Sequence, residues 1–199
     1  EKGITSTIYH IVDATGIGDI LTIEELQEMV DYYNTDIEVH GDIPRNDSGE
    51  NGYNALTNEE LIAHWSSSQK FLRENGLSEG RHMSYPGNYH SNRVVRLAKK
   101  YFDSCRTIQY YIPCESYPPA DHHRLRAVTG VGAAGINVTT VKKYIDQAMA
   151  SGAWLILTFH RIGDVPQGQE ANASMYCSES DLQAIADYAI ESGALIKNV

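Results

Sequence analysis

Histidines and a carboxylate lie at the ends of predicted strands in this 199-residue chain, and these residue types suit hydrolytic chemistry. His40 ends a predicted strand and Asp42 follows it, while His160 lies at the end of the apolar run at 154–161. Imidazole and carboxylate together bind zinc and similar divalent ions. Such a metal lowers the pKa of a bound water to about 7 and polarises a carbonyl. His40 and Asp42 are therefore candidate metal ligands. His160 is a candidate acid or base, because the ordinary pKa of histidine is about 6.5.

Further polar side chains close other predicted strands. The C-terminal ends of the strands of a (β/α) barrel all open on one face, where the active sites of that fold lie. Besides His40, Asp42 and His160, the residues at the ends of the predicted strands are His10, Asp13, Tyr85, Pro86, Arg106 and Arg126. We interpret His10 as a half-buried strand residue without a functional role. For His160 a second interpretation stays open, in which it only caps a strand.

The elements that must position these residues alternate along the chain. Apolar and β-branched runs predict seven strands, at 4–12, 36–40, 82–86, 104–108, 124–128, 154–161 and 194–196. Five helices are predicted between them, and Thr22, Thr57 and Ser178 mark the starts of three. Alternation of this kind implies parallel strands joined by right-handed crossovers. The sequence thus predicts an α/β fold, a distorted (β/α) barrel of about seven strands, in one domain over residues 1–199.

Composition narrows the classes of partner. The net charge is -10 and the pI is about 5.2, which argues against nucleic acid and anionic membrane, because both need a basic face. No apolar run approaches the ~20 residues of a membrane span. Three cysteines, Cys105, Cys114 and Cys177, form neither a disulfide framework nor a zinc-site spacing. The 13 tyrosines suit loops that bind polar ligands such as sugars, and tyrosine also packs in ordinary cores.

Several segments, in this order, resemble one family. They are His40 after its strand, the helix at 56–76, the segment Ser84-Tyr85-Pro86-Gly87-Asn88-Tyr89-His90-Ser91-Asn92-Arg93, the pairs Arg106-Thr107 and Arg124-Leu125, and Leu157-Thr158-Phe159-His160. Their order and spacing resemble the NodB-type polysaccharide deacetylases, or carbohydrate esterase family four. The last segment corresponds to the Leu-x-x-His motif of that family.

The resemblance implies both a reaction and roles. Members of the family hold a divalent metal, zinc or a similar ion, through Asp-His-His, and use a further Asp as base. The Leu-x-x-His histidine, here His160, acts as acid, and acetyl groups are removed from N- or O-acetylated polysaccharide. By this resemblance Tyr85, Pro86, Gly87 and Tyr89 are expected to contact substrate. The expected location is extracellular or in the cell envelope.

The sequence also departs from the family. The Thr-Phe-Asp-Asp-Gly motif, which carries the base and one metal ligand, is not found, so we expect that a first β–α unit is missing. Pro44 stands where the second metal histidine should be, and Asp42 is a possible substitute. Ser84 replaces the usual arginine of the third motif, and Gly87-Asn88 replaces Tyr-Gly.

These departures lead to further expectations. With His40 as the only matched ligand, metal binding by this chain alone should be weak, because a typical site needs three protein ligands. The edge of the first strand should be covered by a partner chain or by another segment. Two functions stay open. The first is a metal-dependent carbohydrate deacetylase whose first β–α unit lies in upstream sequence, and the second is a non-catalytic glycan-binding module of a larger secreted or virion assembly.

Overall fold

The computed structural model describes residues 4–18, 20–41, 49–109, 112–132 and 135–198 and divides the chain into two compact units. The first unit comprises Glu1–Thr107, His122–Arg124 and Lys197–Val199. The second comprises Ile108–Asp121 and Leu125–Ile196. The single domain that the sequence predicts over residues 1–199 stays a prediction.

The first unit is built on four parallel strands that follow the chain order β1-β2-β3-β4. The chain runs through β1 (Ser6–Ile11), α1 (Ile23–Tyr33), β2 (Thr35–His40), α2 (Asn58–Glu74), β3 (His82–Ser84), α3 (Asn92–Ala98) and β4 (Ser104–Ile108), with short 3-10 turns at Val12–Ala14, Gly52–Ala55 and Pro86–Asn88. A helix precedes each of the last three strands, as sequential parallel pairing requires. This is the strand–helix alternation that the sequence predicts.

Local sequence fixes where these helices begin, and burial fixes which way they face. Thr22 and Thr57 cap α1 and α2 through full capping boxes, each accepting a backbone N–H three residues on. The apolar side of α2 places Leu61, Trp65 and Leu72 in the core at helical spacing. That core also takes residues from the strands, among them Ile37, Val39, Met83 and Cys105, all with no exposed surface. Burial of these apolar side chains between the helices and the strands holds the helices on the sheet.

The second unit has its own core. Its elements are β5 (Leu125–Val128), α4 (Val138–Ser151), β6 (Ile156–Leu157), β7 (Arg161–Ile162), β8 (Tyr176–Cys177) and α5 (Glu179–Glu191), with a 3-10 turn at Glu170–Met175. The 3-10 turn at His122–Arg124, just before β5 in the chain, belongs to the first unit. β5 pairs with β6, and β7 with β8, both parallel. Side chains of α4 and α5 pack with those strands around Val128, Val141, Ile145, Cys177 and Ile185.

The predicted fold class, α/β with parallel strands joined in sequential order, is confirmed for the described residues. Two predicted strands are wrong in detail. The run at 154–161 forms only the two-residue β6, because pairing with β5 stops at the bond from the Thr158 N–H to the Val128 carbonyl oxygen, 2.7 Å. The run at 194–196 is not a strand, since no described strand pairs with it, and Leu195 is 82% exposed.

Three other features of the described residues bear on the sequence expectations. β1 pairs with β2 and with no other described strand. That a partner chain or another segment covers the second edge of β1 stays a prediction. None of the described helices has both the length and the apolar character needed to cross a membrane. Cys105, Cys114 and Cys177 form no disulfide with one another, as their number and spacing predict, and Cys105 is a buried core residue.

Candidate functional site

Three polar side chains share one row near the C-terminal ends of the first unit's strands. His40 of β2 is the register partner of Ser84 of β3, and Ser84 is the register partner of Arg106 of β4. Register partners in a sheet project from the same face. The row is therefore a polar line across three strands, at the end of the strands where parallel α/β folds place their ligands.

His40 is held in a defined tautomer. Its Nδ1 lies 2.6 Å from the carbonyl oxygen of Gly41, and the ring is half-buried. A carbonyl oxygen only accepts, so Nδ1 carries the hydrogen and donates it. The lone pair of the neutral ring is then on Nε2. Metal-ligating histidines commonly donate their other ring N–H to a carbonyl or a carboxylate in the same way.

Ser84 and Arg106 form a buried pair beside His40. Ser84 has no exposed surface and Arg106 is 7% exposed. Arg106 Nη2 donates to Ser84 Oγ, and its guanidinium carbon lies 5.2 Å from the ring centroid of Tyr9 on β1. Where the resemblance expects an arginine the chain has Ser84, and the side chain of Arg106 reaches that serine from the next strand. A cation is thus present in this row although the sequence of β3 lacks one.

The aromatic segment after β3 divides into buried and exposed parts. Tyr85 is 2% exposed, donates its hydroxyl to the His123 carbonyl oxygen at 3.0 Å, and stacks on His90 with ring centroids 5.2 Å apart. Pro86 is also buried, and Gly87 has φ +57°, which a residue with a side chain adopts only at a cost. Tyr89 is 39% exposed and presents its ring to solvent. Of the four residues predicted to contact substrate, Tyr89 has the most accessible ring.

A second histidine near His40 escaped the sequence analysis. His64 of α2 has Nδ1 3.7 Å from Asp13 Oδ2, and its buried Nε2 has no hydrogen-bond partner among the described residues. Burial lowers the pKa of His64, and the carboxylate of Asp13 partly opposes this. A side chain on Gly41 would meet both Tyr53 and His64, at 2.6 and 2.9 Å, which explains the glycine. The spacing of His64 from Leu61 on a predicted amphipathic helix was the signal that could have placed it on the inner face.

The described residues fit a metal only in part. His40 has the tautomer of a ligand, but no three histidine, cysteine, aspartate or glutamate side chains converge within the described ranges. Asp42, the predicted second ligand, and Pro44 lie outside the described residues. His10 pairs with Val39 and so faces the other side of the sheet, where its Nε2 lies 2.8 Å from Thr15 Oγ1. His10 is therefore a buried residue of the strand and not a metal ligand. The described residues do not complete the ligand set that the resemblance implies. We derive no reaction step through a metal.

His160 belongs to the second unit. It lies between β6 and β7, exposed, three residues beyond Leu157. Arg126, another residue at the end of a predicted strand, makes two hydrogen bonds to the buried carboxylate of Glu115, at 3.0 and 2.7 Å. These bonds raise the pKa of Arg126.

Two solved structures resemble this chain. A polysaccharide deacetylase from Bacillus cereus is 20% identical with a TM-score of 0.45, and a protein from Bacillus anthracis assigned to the polysaccharide deacetylases is 18% identical with a TM-score of 0.49. Each alignment covers 63% of this chain and 37% of the other, so this chain spans well under half the length of those proteins. Likeness at this level carries no argument about function. Neither a family model nor a curated protein matches the sequence.

Proposed function

We propose that this chain is a polysaccharide deacetylase-type domain that acts on N- or O-acetylated carbohydrate, with His40 as a metal ligand and His160 as general acid. The single observation that carries the proposal is the orientation of His40. Its Nδ1 donates to the Gly41 carbonyl oxygen, and the basic Nε2 belongs to a ring at the C-terminal end of a parallel strand. The order of motifs that resembles the deacetylases supplies the substrate class.

A non-catalytic glycan-binding module is the second candidate, and one observation favours it. Tyr89 exposes 39% of its surface directly after the β3 segment, and an exposed aromatic ring offers an apolar face with a polar edge. Sugar rings pack on such faces while their hydroxyls form hydrogen bonds. This candidate needs neither a metal nor an acid.

Acetate release separates the two candidates. The chain is incubated with N-acetylated chito-oligosaccharides and with acetylated xylan, in the presence of zinc and after treatment with a chelator. If the proposal holds, acetate is released from at least one substrate and release stops after chelation, because the metal is removed. Acetate is quantified enzymatically, and binding of the same glycans is measured in parallel by calorimetry.

His40→Ala and His122→Ala are a matched pair for this assay. His122 is an exposed histidine outside the strands. Loss of acetate release in the first variant and not in the second supports the metal role. Glycan binding without any acetate release rejects the enzyme and leaves the binding module. Neither binding nor release rejects both.

A further inference from the structure

We propose that a basic pocket beside α3 binds the anionic groups of an acidic polysaccharide. The pocket has a volume of about 400 Å³ and is open to solvent. It is lined by Asn58 at the start of α2 and by Arg93, Arg96, Leu97, Lys99 and Lys100 of α3 and the turn after it. That the ligand is a polysaccharide rests on the function proposed above, whereas its negative charge rests only on the pocket.

The charge of this pocket contrasts with that of the whole chain. The net charge of the chain is -10, yet no aspartate or glutamate occurs between Glu79 and Asp103. The described residues that line the pocket include four cations and no carboxylate. Like charges held this close repel one another, and an anion among them removes that repulsion. The pocket therefore favours a negatively charged ligand.

Arg93 is a cation whose position is fixed. Its Nη1 donates to Asn58 Oδ1 at 2.9 Å, and its Nη2 donates to the carbonyl oxygens of Leu56 at 2.7 Å and Asn54 at 3.1 Å. These acceptors are neutral, so they orient the guanidinium without cancelling its charge. The dipole of α3 favours cations at the end of the helix but not in its first turn, where Arg93 lies. The pocket thus holds an oriented positive charge before any ligand binds.

The remaining cations of the pocket are exposed, and its size suits a single sugar. Arg96, Lys99 and Lys100 lie at the surface, where long side chains can adjust to a ligand. A volume of about 400 Å³ falls within the range of small-ligand sites, about 300–1,000 Å³. An extended polyanion such as nucleic acid needs a broad basic face, which the acidic composition of this chain argues against. One acidic sugar of a polymer fits both the charge and the size.

The 3-10 turn at Gly52–Ala55 connects this pocket with the tyrosine proposed to contact sugar. The carbonyl oxygen of Asn54 in this turn accepts from Arg93. A side chain on Gly52 would meet the Cβ atom of Tyr89 at 3.0 Å, so the same turn also packs on Tyr89. Tyr89 and Arg93 are four residues apart, which limits the distance between their Cα atoms to about 14 Å. A short oligosaccharide that packs on Tyr89 can therefore span to the pocket.

A hyaluronan oligosaccharide of roughly the length that spans both features is the test ligand, because its sugars are alternately N-acetylated and carboxylate-bearing. The same oligosaccharide with its carboxylates reduced to alcohols is the neutral control, and a single-stranded DNA oligonucleotide of equal charge is the polyanion control. Binding is measured by calorimetry at low and at physiological sodium chloride concentration. We expect the acidic oligosaccharide to bind at least about fivefold more tightly than the reduced one, and this difference to shrink as salt screens the charges.

Two double variants locate the binding. Arg96→Gln with Lys100→Gln removes two exposed cations of the pocket and should weaken binding of the acidic oligosaccharide by at least about fivefold. Arg73→Gln with Lys143→Gln removes one exposed arginine and one exposed lysine that do not line the pocket. It changes the net charge equally and should keep the affinity within about twofold of the original. All four positions are exposed, so both variants should fold.

Equal affinity for the acidic and the reduced oligosaccharide overturns the inference, as does an equal loss of affinity in the two double variants. DNA binding as tight as that of the acidic oligosaccharide overturns the assignment to a polysaccharide. Binding of the acidic oligosaccharide without acetate release from any acetylated substrate keeps the pocket and rejects the proposed reaction. Acetate release without charge-dependent binding rejects the pocket and keeps the reaction.

Discussion

His160→Ala, made in a longer protein that also carries the Thr-Phe-Asp-Asp-Gly motif, is expected to lower the rate of acetate release by about 10²–10⁴, the usual contribution of a general acid. The physical reason is that the leaving amine or alcohol departs poorly unless it receives a proton. The loss should fall on kcat more than on KM, because the proton is transferred in the transition state. Steady-state kinetics on the best acetylated substrate measure both constants.

His122→Ala is the matched control for this variant, since it also removes one exposed imidazole. Its rate should stay within about twofold of the original, as surface substitutions away from a site seldom matter. A His160→Ala rate within about threefold of the original would show that this histidine only caps a strand.

Glu38→Gln is expected to stabilise the fold at pH 8 by about 2–3 kcal/mol. Glu38 on β2 is 5% exposed, and burial raises the pKa of its carboxyl to about 7, although the carboxylate accepts the His82 N–H at 2.8 Å. In the window from its ordinary value of 4.5 up to about 7, the folded state binds more protons than the unfolded state. The contribution of Glu38 to the free energy of unfolding is therefore fully present below this pH window and is lost as the pH rises through it.

Urea unfolding between pH 5 and pH 8 measures this effect as a difference between variants. Glutamine keeps an acceptor for the His82 N–H without the buried charge, so Glu38→Gln should flatten the pH dependence. Glu79→Gln, at an exposed position, should leave the curve unchanged within about 0.5 kcal/mol. A Glu38→Gln variant that is less stable than the original at pH 8 would show that the carboxylate is needed charged.

Much of the first unit follows from local sequence. The capping boxes at Thr22 and Thr57 gave the starts of α1 and α2, and β-branched runs gave β1 and β2 to within two residues. These signals are local, because a cap or a strand period is contained in a few neighbouring residues. The α/β class follows from their alternation.

The features that the sequence analysis predicted wrongly or missed depend on contacts between distant residues. The apolar run at 154–161 reads as a fully buried strand, yet only Ile156 in it is buried, since strand length depends on a partner's backbone. The partnership of Arg106 with Ser84 required the register of β3 and β4, which no local pattern contains. Likewise, the pairing of Arg126 with Glu115 joins residues 11 positions apart across a loop.

The central claim is that His40 is a metal ligand at the end of β2, and histidine ring NMR tests it most directly. The eight histidines of the chain are labelled with ¹⁵N, and His40→Ala assigns the His40 signals. We predict a neutral His40 ring protonated on Nδ1, and a shift of its Nε2 signal when millimolar zinc is added. A ring protonated on Nε2, or a zinc titration that leaves the His40 signals unmoved, would contradict the account.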